Sequence, residues 1–474
     1  MGSVPRIGII GGGASGSLVA VNLMREARHP VEIVLVDDTG EFGPGVPYRT
    51  TNPEHRLNVP AARMSAFDDD RDHFLNWMRK IDPGTGGDAY PSRGIYGQYL
   101  KELLESAEAG RQSGVNLNRV HGRVIEVKPS GEGAVLVLDE SRTTDGSSRL
   151  TVDHVVIATG PIAGADPVPV PESLVEKGIY VPNAWDEAAV SPARSDRSVL
   201  VIGTGLTMVD AVLTLTSDAE GPDIRAVSRS GLAPKAHLRG LTMVKRPDLR
   251  LEGRPPRIQD LMAAFTSEFA RATREGGGWR DAVDSLRLIT GEVWRQLPTG
   301  DKLWFLENLN RIWEVHRYRM APENGHRFDQ LLASGRLEVS ATRIGAIEDA
   351  GEKARVTLIG KPVTGTDRPG EVTEVAEFDR IIAACGAGTD VSRDSPAPIP
   401  ALIAAGHLRP DDINLGLDVD PDGAAIDLSG KRSETFSVLG SLRRGVEWET
   451  IGVIELRWQS AAIADRLLKD LPRA

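Results

Sequence analysis

Arg6-Ile7-Gly8-Ile9-Ile10-Gly11-Gly12-Gly13-Ala14-Ser15-Gly16 is the stretch that decides the fold. A short β-branched run enters a glycine-rich turn without a break. A helical pattern follows at Leu18, Val19, Val21, Leu23 and Met24, and a second strand, Val31 to Val36, ends on Asp37-Asp38. Strand, glycine turn, helix and strand with a terminal acid is the context that makes a GxGxxG pattern informative. Gly11 permits the tight turn, Gly13 lets backbone approach a pyrophosphate, and Gly16 lets helix and strand pack closely. Ala14 and Ser15 open the helix, whose N–H groups and dipole favour an anion there. Asp37 would accept hydrogen bonds from ribose hydroxyls. The competing reading is a glycine-rich turn in an α/β protein that binds no nucleotide.

The pattern recurs. Ser198 to Ile202 reads as a buried strand, followed by Gly203-Thr204-Gly205-Leu206-Thr207-Met208-Val209-Asp210 and a helix through Ala211, Val212, Leu213 and Leu215. Ile224 to Val227 is the next strand and ends at Ser228-Arg229. Met208 stands where a third glycine is expected. Gly11 to Asp37 and Gly203 to Arg229 are both 26 residues apart, so counting puts an arginine where the first unit has its acid. An acid there binds a ribose 2′-OH, whereas Arg accommodates a 2′-phosphate. The first unit therefore reads as FAD-binding. The second reads as NADPH-binding through Gly203, Gly205, Leu206, Thr207, Ser228 and Arg229, with Arg225 assisting. The competing reading of Arg229 is an ordinary exposed arginine on a loop.

Composition excludes several classes. In 474 residues, 67 acidic side chains outnumber 56 basic ones, for a net charge of -11. Nucleic-acid binding needs a basic face, so no such partner is expected. Cys385 is the single cysteine, which rules out an internal disulfide, a CxxC redox pair and a cysteine metal cluster. The nine histidines show no HExxH or other metal spacing, and no metal is expected. The start lacks a signal-peptide pattern, and no apolar run approaches the ~20 residues needed to span a bilayer. A soluble, cytoplasmic protein without a membrane partner is the expectation.

The fold class is α/β, with two Rossmann-type dinucleotide-binding domains and a helical insertion. The FAD domain is placed at 1–161 and 377–474. The NADPH domain is placed at 162–376, with the insertion at about 257–330. Val152 to Ala158, ending in Thr159-Gly160-Pro161, and Phe378 to Ala384, ending in Cys385-Gly386, carry the chain between the domains. Residues 120–158 read as a small β-meander, with segments at His121–Val127 and Ala134–Leu138. Trp279, Trp294, Trp304 and Trp313 in the insertion pack as core, cover the interdomain cleft or form a dimer surface, so a homo-oligomer is left open. A terminal helix is expected from Glu449-Thr450, after the strand-like Phe436 to Leu439 and Gly440. Its positive end would point at the flavin.

Eight motifs together resemble one family. They are GGGASG, GPGVPY (43–48), HRLNVPA (55–61), SRGIYGQYL (92–100), GTGLTMVD (203–210), SRSGLAPKAH (228–237), WEVHRYRMAP (313–322) and SLRRGVEWET (441–450). The set is similar to bacterial FAD/NAD(P)-binding proteins related to class B flavin monooxygenases, the group containing amino-acid N-hydroxylases. The resemblance implies that Gly43 to Tyr48 and Asn58-Val59-Pro60 run along the flavin, and that Arg93 contacts FAD phosphates or adenine. It implies an FAD- and NADPH-dependent monooxygenase that uses O2 and a small-molecule substrate. Such an enzyme would N-oxygenate a small amino acid or amine through a C4a-peroxyflavin. His55, His316 and Asn58 are candidates for roles beside the flavin. Arg317 and Arg319, with Arg443 and Arg444, could meet in the cleft and hold an acidic substrate such as aspartate. Alternatively these arginines bind cofactor phosphates or pair with Glu447 and Glu449. Two other activities stay open: an NADPH-dependent flavin oxidoreductase passing electrons to a quinone or partner protein, and a nucleotide-sensing protein without turnover.

Overall fold

The computed structural model describes residues 4–470 apart from 132, 141–147, 187–189, 192–194, 218–220, 241–243, 248, 250, 252, 361–371 and 389. Two sheets organise the chain. The first runs, in spatial order, through Ala424–Ile426 (β15), Arg432–Val438 (β16), His154–Ile157 (β7), Arg6–Ile10 (β1), Val31–Asp37 (β2) and Val115–His121 (β3). Every neighbouring pair is parallel except β15–β16. The central strands are mostly apolar because helices or strands cover both faces. Ile7, Ile9, Ile33, Leu35, Val155 and Val156 are accordingly buried. The helix Ala14–Glu26 (α1) joins β1 to β2, and the C-terminal helix Val453–Asp470 (α9) lies along it, tied by an Asn22 Nδ2 bond to Ser460 Oγ of 3.1 Å.

The second sheet has seven strands. Tyr180–Val181 (β8), Arg380–Ala383 (β14), Ser198–Ile202 (β9), Asp223–Ser228 (β10) and Leu337–Asp349 (β11) are parallel neighbours. Ala354–Gly360 (β12) and Val372–Phe378 (β13) extend the edge in antiparallel fashion. Arg380–Ala383 pairs with β9, so the chain returns to the first domain only after 383, not at 377. The two connecting segments run against each other at small residues. A Cβ on Gly164 would lie 2.1 Å from Gly386 O, and one on Gly388 would lie 2.6 Å from Ala163 O.

Val124–Ser130 (β4), Gly133–Leu138 (β5) and Arg149–Val152 (β6) form the antiparallel meander. The expected segment from His121 is split, because His121 closes β3 against Asp37. Helix Arg93–Gly110 (α2), capped by Ser92, belongs to the first domain, and Leu206–Leu215 (α3) joins β9 to β10. Among the described residues, four helices interrupt the second unit between β10 and β11: Ile258–Arg274 (α4), Trp279–Gln296 (α5), Thr299–Asn308 (α6) and Asn310–Arg317 (α7). The next helix, Pro322–Ala333 (α8), contacts α3 and β11 and belongs to the dinucleotide unit, not to the insertion. Trp294 packs in the insertion core with Phe305 and Trp448, whereas Trp304 is 42% exposed. Helix α9 starts at Val453, not at Glu449. Arg444–Glu447 form a separate turn, and Trp448 adopts φ 65°, which redirects the chain.

Candidate dinucleotide and substrate sites

At the first glycine turn, Gly11 has φ +106°, and a Cβ there would lie 2.3 Å from Ala158 O. A Cβ on Gly16 would lie 1.9 Å from Gly11 O. Both glycines are therefore dictated by backbone contact. Helix α1 is preceded by Gly13, which supplies no side-chain cap, and its first turn has no acid, so its N-terminal donors are suited to an anion. The segment 43–48 folds over this turn: Gly43 N donates to Gly12 O at 2.9 Å, and a Cβ on Gly13 would meet Gly45 Cα at 3.2 Å. Asp37 Oδ2 accepts from Gly12 N at 2.8 Å, while Oδ1 accepts from the N–H and hydroxyl of Thr39. The acid thus fixes the glycine loop, a role that spacing alone did not reveal. Gly440, with φ +78°, comes beside Ser15, since a Cβ there would lie 3.3 Å from Ser15 Oγ. The first turn of α9 reaches this point as well, since the same Cβ would lie 3.5 Å from Leu456 Cδ2. Gln459, one turn further on, accepts from Gly440 N at 3.1 Å. An uncapped helix start beneath Cβ-intolerant glycines fits an FAD pyrophosphate.

The second turn repeats this plan with differences. Gly203 has φ +118°, and a Cβ there would lie 2.2 Å from Ala384 O, matching Gly11 and Ala158. Gly205, before Leu206 and Thr207, again offers no side-chain cap to an acid-free first turn, and nothing lies within 4 Å of the Cβ it lacks. This start likewise fits a dinucleotide phosphate. Met208, where the first unit has Gly16, is fully buried among Val201, Ile224 and Phe328. Strand register corrects the position of the arginine. Ile10 pairs with Val36 and Ile202 with Val227, so Ser228, not Arg229, matches Asp37. The second connection is one residue shorter, and Arg229 lies one step beyond, exposed. Ser228 Oγ bonds Thr204 Oγ1 at 2.8 Å and accepts from Gly231 N at 3.0 Å. Arg225 faces away and pairs with Glu374 at 2.8 Å and Glu338 at 3.5 Å.

Two expected cofactor or catalytic residues bind the domains to each other instead. Arg93, buried on α2, donates to Asp210 Oδ2 of α3 at 2.6 Å, which commits its guanidinium away from FAD phosphates. His55 bridges Thr50 Oγ1 at 2.7 Å and Thr214 Oγ1 of α3 at 2.8 Å. It lines an interdomain cleft of about 530 Å³ with Trp185 and Asn52.

A second cleft, of about 280 Å³, collects the charge. Asn58, Val59 and Pro60 form one wall, and Arg63, Arg71, Arg287, Arg317, Arg319 and Arg457 surround it with one lining carboxylate, Asp284. Arg317 forms a two-pronged pair with Glu449 at 2.9 and 3.1 Å. Arg319 pairs with Asp284, Arg287 with Glu455 at 2.5 Å, and Arg457 with Asp68 at 3.5 Å. His237 Nε2 donates to Asn58 O at 3.0 Å. Burial, reinforced by Arg319, Arg317 and Arg63, pushes the His237 pKa down to about 3, so the ring is neutral. Of this set, sequence reasoning singled out Asn58, Val59, Pro60, Arg317 and Arg319.

Arg443 and Arg444 do not join it. Arg443 is fully buried, pairs with Glu447 and donates to Pro421 O at 3.2 Å. Arg444 pairs with Glu314 at 3.1 Å, over the ring of Trp448. The ion pairs with Glu447 and Glu449 are therefore the reading that holds for Arg443 and Arg317. His316 donates Nδ1 to Ile312 O at 2.7 Å and lines a separate apolar cavity of about 500 Å³ with Trp279, Trp294 and Trp313. Among the described residues no group of His, Cys, Asp and Glu could hold a metal ion, and no helix is long and apolar enough to cross a membrane.

The geometry defines a protein with two dinucleotide-binding units, and residues 8–162 match a family model described as FAD-NAD(P)-binding. The first domain is thus an FAD/NAD(P)-binding domain. Over the whole chain the fold is that of flavin N-hydroxylases. An ornithine N-hydroxylase from Kutzneria sp. 744, solved with reduced FAD, NADP+ and L-ornithine, aligns at TM-score 0.61 with 15% identity, covering 99% of both chains. A cadaverine monooxygenase from Erwinia amylovora, bound to FAD, aligns at TM-score 0.64 with 14% identity, covering 100% of this chain and 97% of that one. In sequence, the chain is 26% identical over 278 residues to an L-aspartate N-monooxygenase (nitrosuccinate-forming) from Streptomyces cremeus. That match spans 48% of this chain and 40% of the relative, less than half of its length.

Proposed function

We propose that this protein is an FAD- and NADPH-dependent monooxygenase that N-oxygenates the amine of a small acidic amino acid. The observation that carries the reading is the cleft where Asn58-Val59-Pro60 faces six arginines. Guanidinium forks recognise carboxylates in planar, two-bond geometry. The likeness to an L-aspartate N-monooxygenase supports the same substrate class.

Bound flavin supplies hydride acceptance from NADPH and activation of dioxygen. The chain's residues do the rest. The N-terminus of α1, fixed through Asp37 and Gly12, holds the FAD pyrophosphate. The N-terminus of α3, with Ser228 and exposed Arg229, holds the NADPH phosphates. Glu449 and Asp284 hold Arg317 and Arg319 in place, so the cleft is ordered before substrate enters. His237 clamps the Asn58 carbonyl and stays neutral.

The test measures hydroxylated amine, hydrogen peroxide and NADPH consumption together, with L-aspartate, L-ornithine, L-lysine and simple amines. Oxygenated aspartate with little peroxide is expected. No oxygenated product from any of them, with rapid reduction of an artificial acceptor, would replace this reading by a flavin reductase.

A further inference from the structure

We propose that Arg311, on α7 of the helical insertion, belongs to the NADPH site and, together with Arg229, makes the second turn select a coenzyme that carries a 2′-phosphate. The inference rests on the NADPH reading of that turn. It adds a specificity-determining residue from outside the dinucleotide unit.

The two turns are fixed by opposite charges. In the first, the carboxylate of Asp37 accepts from Gly12 N at 2.8 Å. No side chain fits at that turn position, since a Cβ on Gly12 would lie 2.9 Å from Asp37 Cβ and 2.6 Å from Phe42 Cδ1. In the second, Thr204 stands at the same place, between Gly203 and Gly205. A guanidinium holds it: Arg311 Nη2 shares its hydrogens among Thr204 O at 3.0 Å, Thr204 Oγ1 at 3.0 Å and Leu232 O at 2.6 Å. An anion at the turn repels a phosphate, whereas a cation attracts it.

The hydroxyl network shows what Arg311 makes possible. Thr204 Oγ1 donates to Leu232 O at 2.7 Å, so its 2.8 Å bond with Ser228 Oγ uses the Ser228 hydrogen. Ser228 matches Asp37 by register, the place of the ribose 2′ substituent. It can turn its O–H to a phosphate only by leaving Thr204 Oγ1, an oxygen of a buried side chain. Arg311 Nη2 is the second donor to that oxygen, so the hydroxyl can turn without stranding a buried acceptor.

Positive charge also remains beside the turn. The Arg311 side chain is 31% exposed, and its ionic partner among the described residues is Glu314, at 3.5 Å. Glu314 is shared with Arg444 at 3.1 Å, so one carboxylate serves two guanidiniums. Arg311 stands two hydrogen bonds from Ser228 Oγ, and exposed Arg229 follows Ser228 directly. At about 6 Å, and at an effective dielectric between about 20 and about 80, one guanidinium raises affinity for each unit of phosphate charge roughly three- to a hundredfold. Helix α7 ends at Arg317, which lines the arginine cleft, so the element that shapes that cleft also reads the coenzyme.

The test uses oxidised coenzymes, which bind without turnover. FAD-loaded protein is titrated calorimetrically with NADP+ and, separately, with NAD+, which differ only in the 2′-phosphate. With two arginines of roughly tenfold each, NADP+ should bind on the order of a hundredfold more tightly. Arg311→Gln should cut that ratio to about tenfold, chiefly by weakening NADP+. Weakening of both coenzymes in proportion would show that Arg311 only holds the turn in place, and would overturn the inference while the NADPH reading stands. If thermal melting shows that this variant folds poorly, Glu314→Gln takes its place. Removing the shared carboxylate should widen the ratio about threefold, and an unchanged ratio would overturn the inference. Wild-type protein that binds neither coenzyme would overturn the NADPH reading itself.

Discussion

The two dinucleotide units share one backbone plan and differ in how tightly it is closed. In the first, Gly13 is packed against Gly45, Gly12 is fixed by Asp37, and Gly16 lets α1 sit directly on the turn. In the second, the place beside Gly205 is open, Thr204 and Ser228 bond through hydroxyls, and Met208 wedges α3 into the core. The difference teaches how one motif serves two residence times. A turn clamped from three sides suits a cofactor that stays. An open turn with an exposed arginine beyond it suits one that exchanges.

The strongest way to break this comparison is at the third glycine. Gly16→Leu drives a side chain into Gly11 O and should cost more than about 3 kcal/mol, leaving little folded, yellow protein by flavin absorbance. Met208→Gly at the matching position should instead cost ~2–5 kcal/mol through a cavity in thermal melting, while FAD is retained. Equal loss of FAD in both would show that the units are not separately closed.

The next effect lies between the units. Arg93→Met leaves Asp210 buried and unpaired, a loss of about 3–5 kcal/mol. Limited proteolysis should then cut between the domains before either unit loses its structure. Asp37→Asn keeps the shape but weakens a charge-assisted bond to Gly12 N, and should weaken FAD affinity by ~1.5–3 kcal/mol in a reconstitution titration. The smallest effect is at the open unit. Arg229→Ala should raise KM for NADPH about tenfold and leave NADH unchanged, as expected for one charge-assisted contact of about 1.4 kcal/mol. Equal effects on both coenzymes would make Arg229 structural and leave Ser228 as the coenzyme contact.

The first unit was legible because its constraints are local. Gly11, Gly16 and Asp37 act within one strand–turn–helix–strand passage, so their spacing carries their roles. Placing Arg229 failed by one residue because counting cannot see that the second connection is shorter. The return to the first domain was misplaced because the run Phe378 to Ala384 reads as a connecting strand, whereas its core, β14, pairs with β9 inside the second sheet. Most of the arginine cleft was invisible. Arg63, Arg71, Arg287 and Arg457 come from separate segments with no shared spacing, and only the packing of the insertion against the first domain collects them. The Arg443 pair was legible and stood among the open readings, since Glu447 lies four residues on, the spacing of a helical ion pair.

The chain passes between the domains twice, at residues 158–164 and 384–388, and the two passages touch glycine to glycine. A body held by one strap can swing and slide in any direction. A body held by two straps side by side can turn about the line that joins them and do little else. The second domain is therefore hung on two adjacent straps, and Arg93 with Asp210 adds a separate tie across the gap between the domains.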